Sequence, residues 1–219
     1  MTDKAEIPKV ARPRRARTIE MPPLGVMLRL KFEPGSALTE EVFAAIAAGN
    51  PEVRLERTAN GELEIMSPTN FDSGDKNAEL TYQLRRWTKE GGRGLGKAID
   101  SNGGYVLPNG AIRSPDASWI RQQRVNGLTA DDRKRFVHFC PDFVVELVSE
   151  SDRLSKARAK MKEYLEQGAR LGWLLDPIRK QVEIYRPGRD VERLGWPKTL
   201  SGEDVLPGFV LDCEALLED

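Results

Sequence analysis

Two acids stand where an apolar core is expected. Glu146 interrupts the run Phe143, Val144, Val145, Leu147, Val148, which otherwise reads as a buried strand. Asp116 follows Pro115 at the start of a second short strand, RSPDASWI. A carboxylate in a core strand is costly unless it is paired, protonated or bound to a metal. If the two strands are neighbours, both carboxylates open into one notch, where they repel and require a cation. Hard oxygen ligands suit Mg²⁺ or Mn²⁺. Such an ion polarises a phosphoryl group and lowers the pKa of an attacking water. Lys160, in the helical segment after Glu146, is the candidate to orient that water and steady charge on the scissile phosphate, provided the helix packs across the acid-bearing end of the strand. Blander readings stand beside these. Asp116 can be a turn acid, Lys160 a solvated helix flank, and Glu146 one half of an internal ion pair with Lys160 or with Arg170. Either Glu62 or Glu64, in the run ELEIMS, can add a further carboxylate.

Composition narrows the chemistry. The 219 residues carry 34 basic and 34 acidic side chains, so overall charge does not mark a polyanion binder. A single histidine, His138, argues against His-based triads and most zinc hydrolases. The two cysteines, Cys140 and Cys213, lie far apart and form neither a zinc motif nor a disulfide framework, a usage that fits a reducing, cytoplasmic setting. The Gly-rich stretches GGRGLG and GKAIDSNGG lack the Lys-Ser/Thr ending of a phosphate loop. No stretch is apolar for long enough to cross a bilayer, and the N-terminus lacks the pattern of a secretory signal.

The elements that must position the acids follow from periodicity. Residues 1–24 read as a flexible basic, proline-rich arm, and residues 25–215 as one domain. Thr39 caps a short helix that closes at Gly49-Asn50. Asn60-Gly61 marks a hairpin within residues 53–67, with Leu63 and Ile65 on one face and Glu62, Glu64 and Met66 on the other. The stretch 68–77 reads as a loop, and Leu80, Leu84 and Trp87 then set a helix that Gly91-Gly92 stops. A helix beginning after Ser149 or Ser151 carries the core stripe Leu154, Ala157, Met161, Leu165, with Lys156, Lys160 and Tyr164 on a neighbouring stripe, and ends at Gly168. Strands at 171–175 and 182–187 read as an antiparallel pair, and a short strand at 209–211 closes the chain. The strand–helix–strand unit 143–175 beside antiparallel hairpins predicts an α/β (α+β) domain with a mixed sheet.

Several segments together carry a family resemblance: NGELEIMSPT (60–69), SGDKNAELTYQL (73–84), LPNGAIRSPDASWI (107–120), the long stretch 140–177, QVEIYRPG (181–188) and LSGEDVLPGFVLD (200–212). The chain resembles the Uma2 (DUF820) family of restriction-endonuclease-like proteins. That family is similar in fold to PD-(D/E)xK nucleases, which set a mixed central sheet between helices and cleave phosphodiesters with a divalent metal. The resemblance implies a Mg²⁺- or Mn²⁺-dependent endonuclease acting on DNA, as a homodimer, with an N-terminal helix and hairpin added to the core. It matches Pro115-Asp116 to the PD element and Glu146 to the second acid, making Asp116 and Glu146 the metal ligands. The standard motif has a lysine two residues past that acid; here that residue is Val148, and the Lys160–Tyr164 pattern makes Lys160 the migrated catalytic lysine. The family also places an acid of the ELEIMSP region at the site, and Glu62 is preferred over Glu64. The alternative is a catalytically inactive nucleic-acid-binding or protein-interaction module that keeps the nuclease fold.

Overall fold

A computed structural model of the chain describes residues 27–32, 38–66, 68–150 and 152–217. The arm read at residues 1–24 lies outside them, as does Ser151. A six-stranded mixed sheet forms the centre. It consists of β4 (Gly96–Asp100), β7 (Ala117–Arg121), β8 (Phe143–Leu147), β9 (Leu171–Asp176), β10 (Gln181–Tyr185) and β11 (Glu192–Gly195), in the order β11-β10-β9-β8-β7-β4. Only β8 and β9 run parallel, joined by the crossover helix α4 (Leu154–Glu166); the other pairs are antiparallel.

Period-two alternation divides the central strands between two layers. Phe143 and Val145 of β8 join Trp119 of β7 and Trp173 of β9 against Leu80, Leu84 and Trp87 of α2 (Phe71–Lys89). Val144 of β8, Ile120 of β7 and Leu174 of β9 pack on the other face, with Met161 and Tyr164 of α4. Glu146 has the parity of Val144, so it points at α4. Gly172 sets how near α4 lies: a Cβ there would fall 2.5 Å from the Met161 methyl carbon.

The N-terminal elaboration is a sheet of its own, in the order β1-β3-β2-β6-β5, formed by β1 (Met27–Leu30), β2 (Arg54–Arg57), β3 (Leu63–Met66), β5 (Tyr105–Val106) and β6 (Ile112–Arg113). One face buries Leu55, Leu63 and Ile112 against Phe43 of α1 (Glu40–Gly49), whose N-cap is Thr39. The other face presents Arg54, Glu56, Glu64 and Arg113. The hairpin is closed by the three residues Ala59–Gly61, because the Thr58 amide bonds the Glu62 carbonyl, and Gly61 takes the left-handed φ of 75° that ends such a loop.

The remaining elements are α3 (Gln122–Asn126), the ribbon of β12 (Thr199–Ser201) with β13 (Val210–Asp212), and two short 3-10 turns at Asp132–Lys134 and Glu214–Leu216. Two helix starts differ from the sequence reading. α2 begins at Phe71, with the Asn70 side chain accepting the Ser73 amide at 2.9 Å, so most of the expected loop 68–77 is helix. α4 begins at Leu154, and its N-cap, Arg153, makes no side-chain cap hydrogen bond. Ser149 donates its amide and hydroxyl to Asp152 instead.

Candidate active site

The β7–β8 register pairs Ala117 with Val145. Asp116 lies in the bend just before β7, beside Glu146: the residue after Glu146 bonds it, and its charge raises the Glu146 carboxyl. Asp116 is fixed at both oxygens: Oδ2 accepts the Leu147 amide at 2.8 Å, and Oδ1 accepts Arg54 Nη1 at 2.9 Å. Arg54 also donates to the Ser114 carbonyl, so one guanidinium holds the corner that carries Pro115.

Lys160 reaches back from α4. Its Nζ lies 2.9 Å from Glu146 Oε1 and 2.8 Å from Glu56 Oε1. One helical turn on, Tyr164 donates its hydroxyl to Glu146 Oε1 at 3.0 Å. Lys160 and Tyr164 are four residues apart, so both lie on the helix stripe that meets the strand. The structure thus brings Asp116, Glu146 and Lys160 together. Glu62 lies apart: its ion partners among the described residues are Arg29 and Lys31, each at 3.5 Å. Glu64 is linked only indirectly, through Arg113, whose Nη1 bonds Glu64 at 2.7 Å and Glu56 at 3.1 Å.

Glu56, Arg54, Arg113 and Glu163 are members that sequence reasoning did not single out. Glu56 sits in β2, directly opposite Glu64. Like charges in that position repel, and Arg113 between them turns repulsion into a bridge; its Nε also binds Glu163 of α4 at 2.7 Å. The signal available in the sequence was the alternation Arg54, Glu56 against Leu55, which marks one polar face on β2.

The electrostatics separate the two glutamates. Burial works to raise both. At Glu56, Lys160, Arg113 and Arg54 outweigh burial and hold the carboxyl down at about 2. At Glu146, burial prevails over Lys160; with Asp116 and Glu56 adding repulsion, its carboxyl is pushed up to about 7. Burial lowers the Lys160 ammonium, but Glu146 and Glu56 outweigh it and leave its pKa raised. Tyr164 is pushed well above its ordinary value by burial and by the neighbouring carboxylates, and stays a neutral donor.

Among the described residues, no group of three or more His, Cys, Asp or Glu side chains is arranged to hold a metal. What converges is a carboxylate pair flanked by cations. Five acids, Glu56, Glu64, Asp116, Glu146 and Glu163, meet four cations, Arg29, Arg54, Arg113 and Lys160, and Glu146, pushed up to about 7, is the acid that takes a proton near neutral pH. Glu146 is 9% exposed, and its described hydrogen-bond and ion-pair partners all meet Oε1, leaving Oε2 disengaged. The donors of this pair are oxygens only, the ligand chemistry that Mg²⁺ and Mn²⁺ take, commonly one or two carboxylates with the shell completed by water and substrate phosphate.

The model of Uma2, described as "Putative restriction endonuclease", matches residues 40–214. The chain belongs to the Uma2 family. A crystal structure described as "a putative nuclease belonging to DUF820" from Anabaena variabilis aligns with a TM-score of 0.63 at 20% identity, covering 74% of this chain and 88% of that one. At that identity the likeness shows a shared fold, and the fold agrees with the mixed sheet flanked by helices found here. No curated protein matches the chain. No described helix of this Uma2 member is long and apolar enough to cross a membrane.

Proposed function

We propose that this Uma2 protein is a Mg²⁺- or Mn²⁺-dependent endonuclease that hydrolyses DNA phosphodiester bonds. The observation that carries the reading is the convergence of Asp116, at the entry of β7, with Glu146 of the neighbouring β8, with Lys160 Nζ 2.9 Å from Glu146. A divalent ion held by these two carboxylates would polarise the scissile phosphate and lower the pKa of the attacking water. The chain's own groups do the positioning. The Leu147 amide and Arg54 fix the Asp116 carboxylate. Tyr164 and Lys160 both engage Glu146 Oε1 and so set the rotation of that carboxyl. The ammonium of Lys160 supplies N–H donors to a phosphoryl oxygen as charge builds there. Water attacks in line and the strand is left with a free 3′-hydroxyl. A homodimer would bring two such sites to the two strands of a duplex.

The test is nicking of supercoiled DNA by purified protein with Mg²⁺ or Mn²⁺. Nicking that disappears in Glu146→Gln supports the reading, and wild-type protein that leaves DNA intact with either ion refutes it. A second reading is favoured by one observation. Arg54 already neutralises Asp116, and Lys160 already bridges two acids, so the cluster also suits a nucleic-acid-binding module that keeps the fold without turnover. DNA binding that persists with no cleavage would select it.

A further inference from the structure

We propose that Glu56 is the positioning residue of this site, fixing the Lys160 ammonium on Glu146 and the Pro115-Asp116 corner in a single contact set. The inference rests on the nuclease reading of the same site and assigns a role that the motif residues do not cover. A lysine two residues past Glu146, just beyond β8, would have its direction set by the backbone that the Leu175 carbonyl holds; that place is taken by Val148, which is buried. Lys160 instead comes from a helix, on a flexible four-carbon stem. Something must choose among its rotamers.

Glu56 has the geometry to do so. It is 2% exposed and rigidly placed in the middle of the β2–β3 register. Its Oε1 accepts both Lys160 Nζ at 2.8 Å and the Ser114 amide at 2.9 Å, two residues before Asp116. Its Oε2 accepts Arg113 Nη1 at 3.1 Å, and Arg113 in turn holds Glu163, one turn from Lys160 on α4. One carboxylate therefore ties the N-terminal sheet to both halves of the site. This also gives the added sheet a purpose: its polar face supplies the clamp that the central sheet lacks.

The experiment pairs two readouts on the full chain, with Glu56→Gln and the charge-keeping Glu56→Asp. The first is the rate of Lys160 acylation by a soluble amine-reactive ester, followed by mass spectrometry, which does not depend on turnover. Lys160 is expected to be shielded in the wild type and modified at least about tenfold faster in either variant. The second is steady-state nicking with Mn²⁺. Misplacing a catalytic group by about 1 Å costs on the order of 10²-fold in rate, so kcat is expected to fall by about that factor while KM for DNA stays within about twofold. The loss should largely vanish in a Lys160→Met background, because groups that act as a unit are not additive. Should Glu56→Gln fail to fold, Glu56→Asp carries both readouts. Lys160 that remains equally shielded in a folded variant overturns the proposal, as does a kcat loss undiminished in the Lys160→Met background. Faster acylation in a protein whose wild type never nicks would uphold the clamp and sink only the nuclease reading.

Discussion

Arg54 competes with any cation for Asp116, so removing it should tighten metal binding while loosening the fold. Its Nη1 sits 2.9 Å from Asp116 Oδ1, with 28% of the side chain exposed. A unit-charge pair about 4 Å apart at an effective dielectric of 20 is worth roughly 4 kcal/mol. Solvent screening and relaxation of the freed carboxylate reduce the part felt by an incoming ion to about 1–2 kcal/mol. That range corresponds to about 5- to 30-fold tighter binding. Arg54→Met keeps the apolar stem and removes the charge. Free Mn²⁺, followed by electron paramagnetic resonance during titration, should show the variant holding the ion about tenfold more tightly than the wild type. Its urea midpoint should drop, because the Ser114 carbonyl loses its donor and Asp116 its partner, a loss of about 1–3 kcal/mol. Unchanged or weaker Mn²⁺ uptake in a folded Arg54→Met protein would refute the reasoning, since it would mean that Asp116 is not shared between guanidinium and metal.

Other perturbations read different parts of the same structure. Lys160→Met leaves Glu56 and Glu146 as facing buried acids; breaking a buried pair costs about 3–5 kcal/mol, so its melting temperature should fall by roughly 6–20 °C, with nicking slowed to a residual, measurable rate. Gly172→Ala puts a Cβ 2.5 Å from the Met161 methyl carbon, the far end of a flexible side chain that shifts to make room at a cost of about 1 kcal/mol; scanning calorimetry should show a small drop in melting temperature. Glu56 is held at about 2 against an ordinary value of 4.5. A depressed carboxylate stabilises the fold fully above its unfolded pKa and loses that contribution as pH falls toward its folded one. The unfolding free energy of the wild type from urea titrations should therefore drop between pH 4.5 and 2 by an amount on the order of 3 kcal/mol, and the part due to Glu56 should be missing in Glu56→Gln.

The central elements were legible because their patterns are local. The apolar run at β8 and the three-and-four spacing of α4 each lie within one segment, and both appear where periodicity sets them. The extra turns of α2 were hidden by the composition FDSGDKN, where Ser73, Gly74 and Asp72 weaken helix propensity and only the Asn70 cap signals the start. Asp116, Glu146 and Lys160 stood out as charges at places with structural consequences. Glu56 did not, because nothing near it in the chain is unusual. Its partners Arg113 and Lys160 are 57 and 104 residues away, and only the packing of the hairpin sheet onto α4 brings them together. Preference for Glu62 followed the family resemblance, whereas the β2–β3 register turns Glu56 and Glu64 toward Arg113 and leaves Glu62 with Arg29 and Lys31.

The sharing of one divalent ion by Asp116 and Glu146 is most directly tested by calorimetric titration of Mg²⁺ into the wild type, Asp116→Asn and Glu146→Gln. One ion per chain in the wild type, with affinity reduced at least about tenfold in each variant, is the expected result. Equal uptake by all three proteins would contradict it.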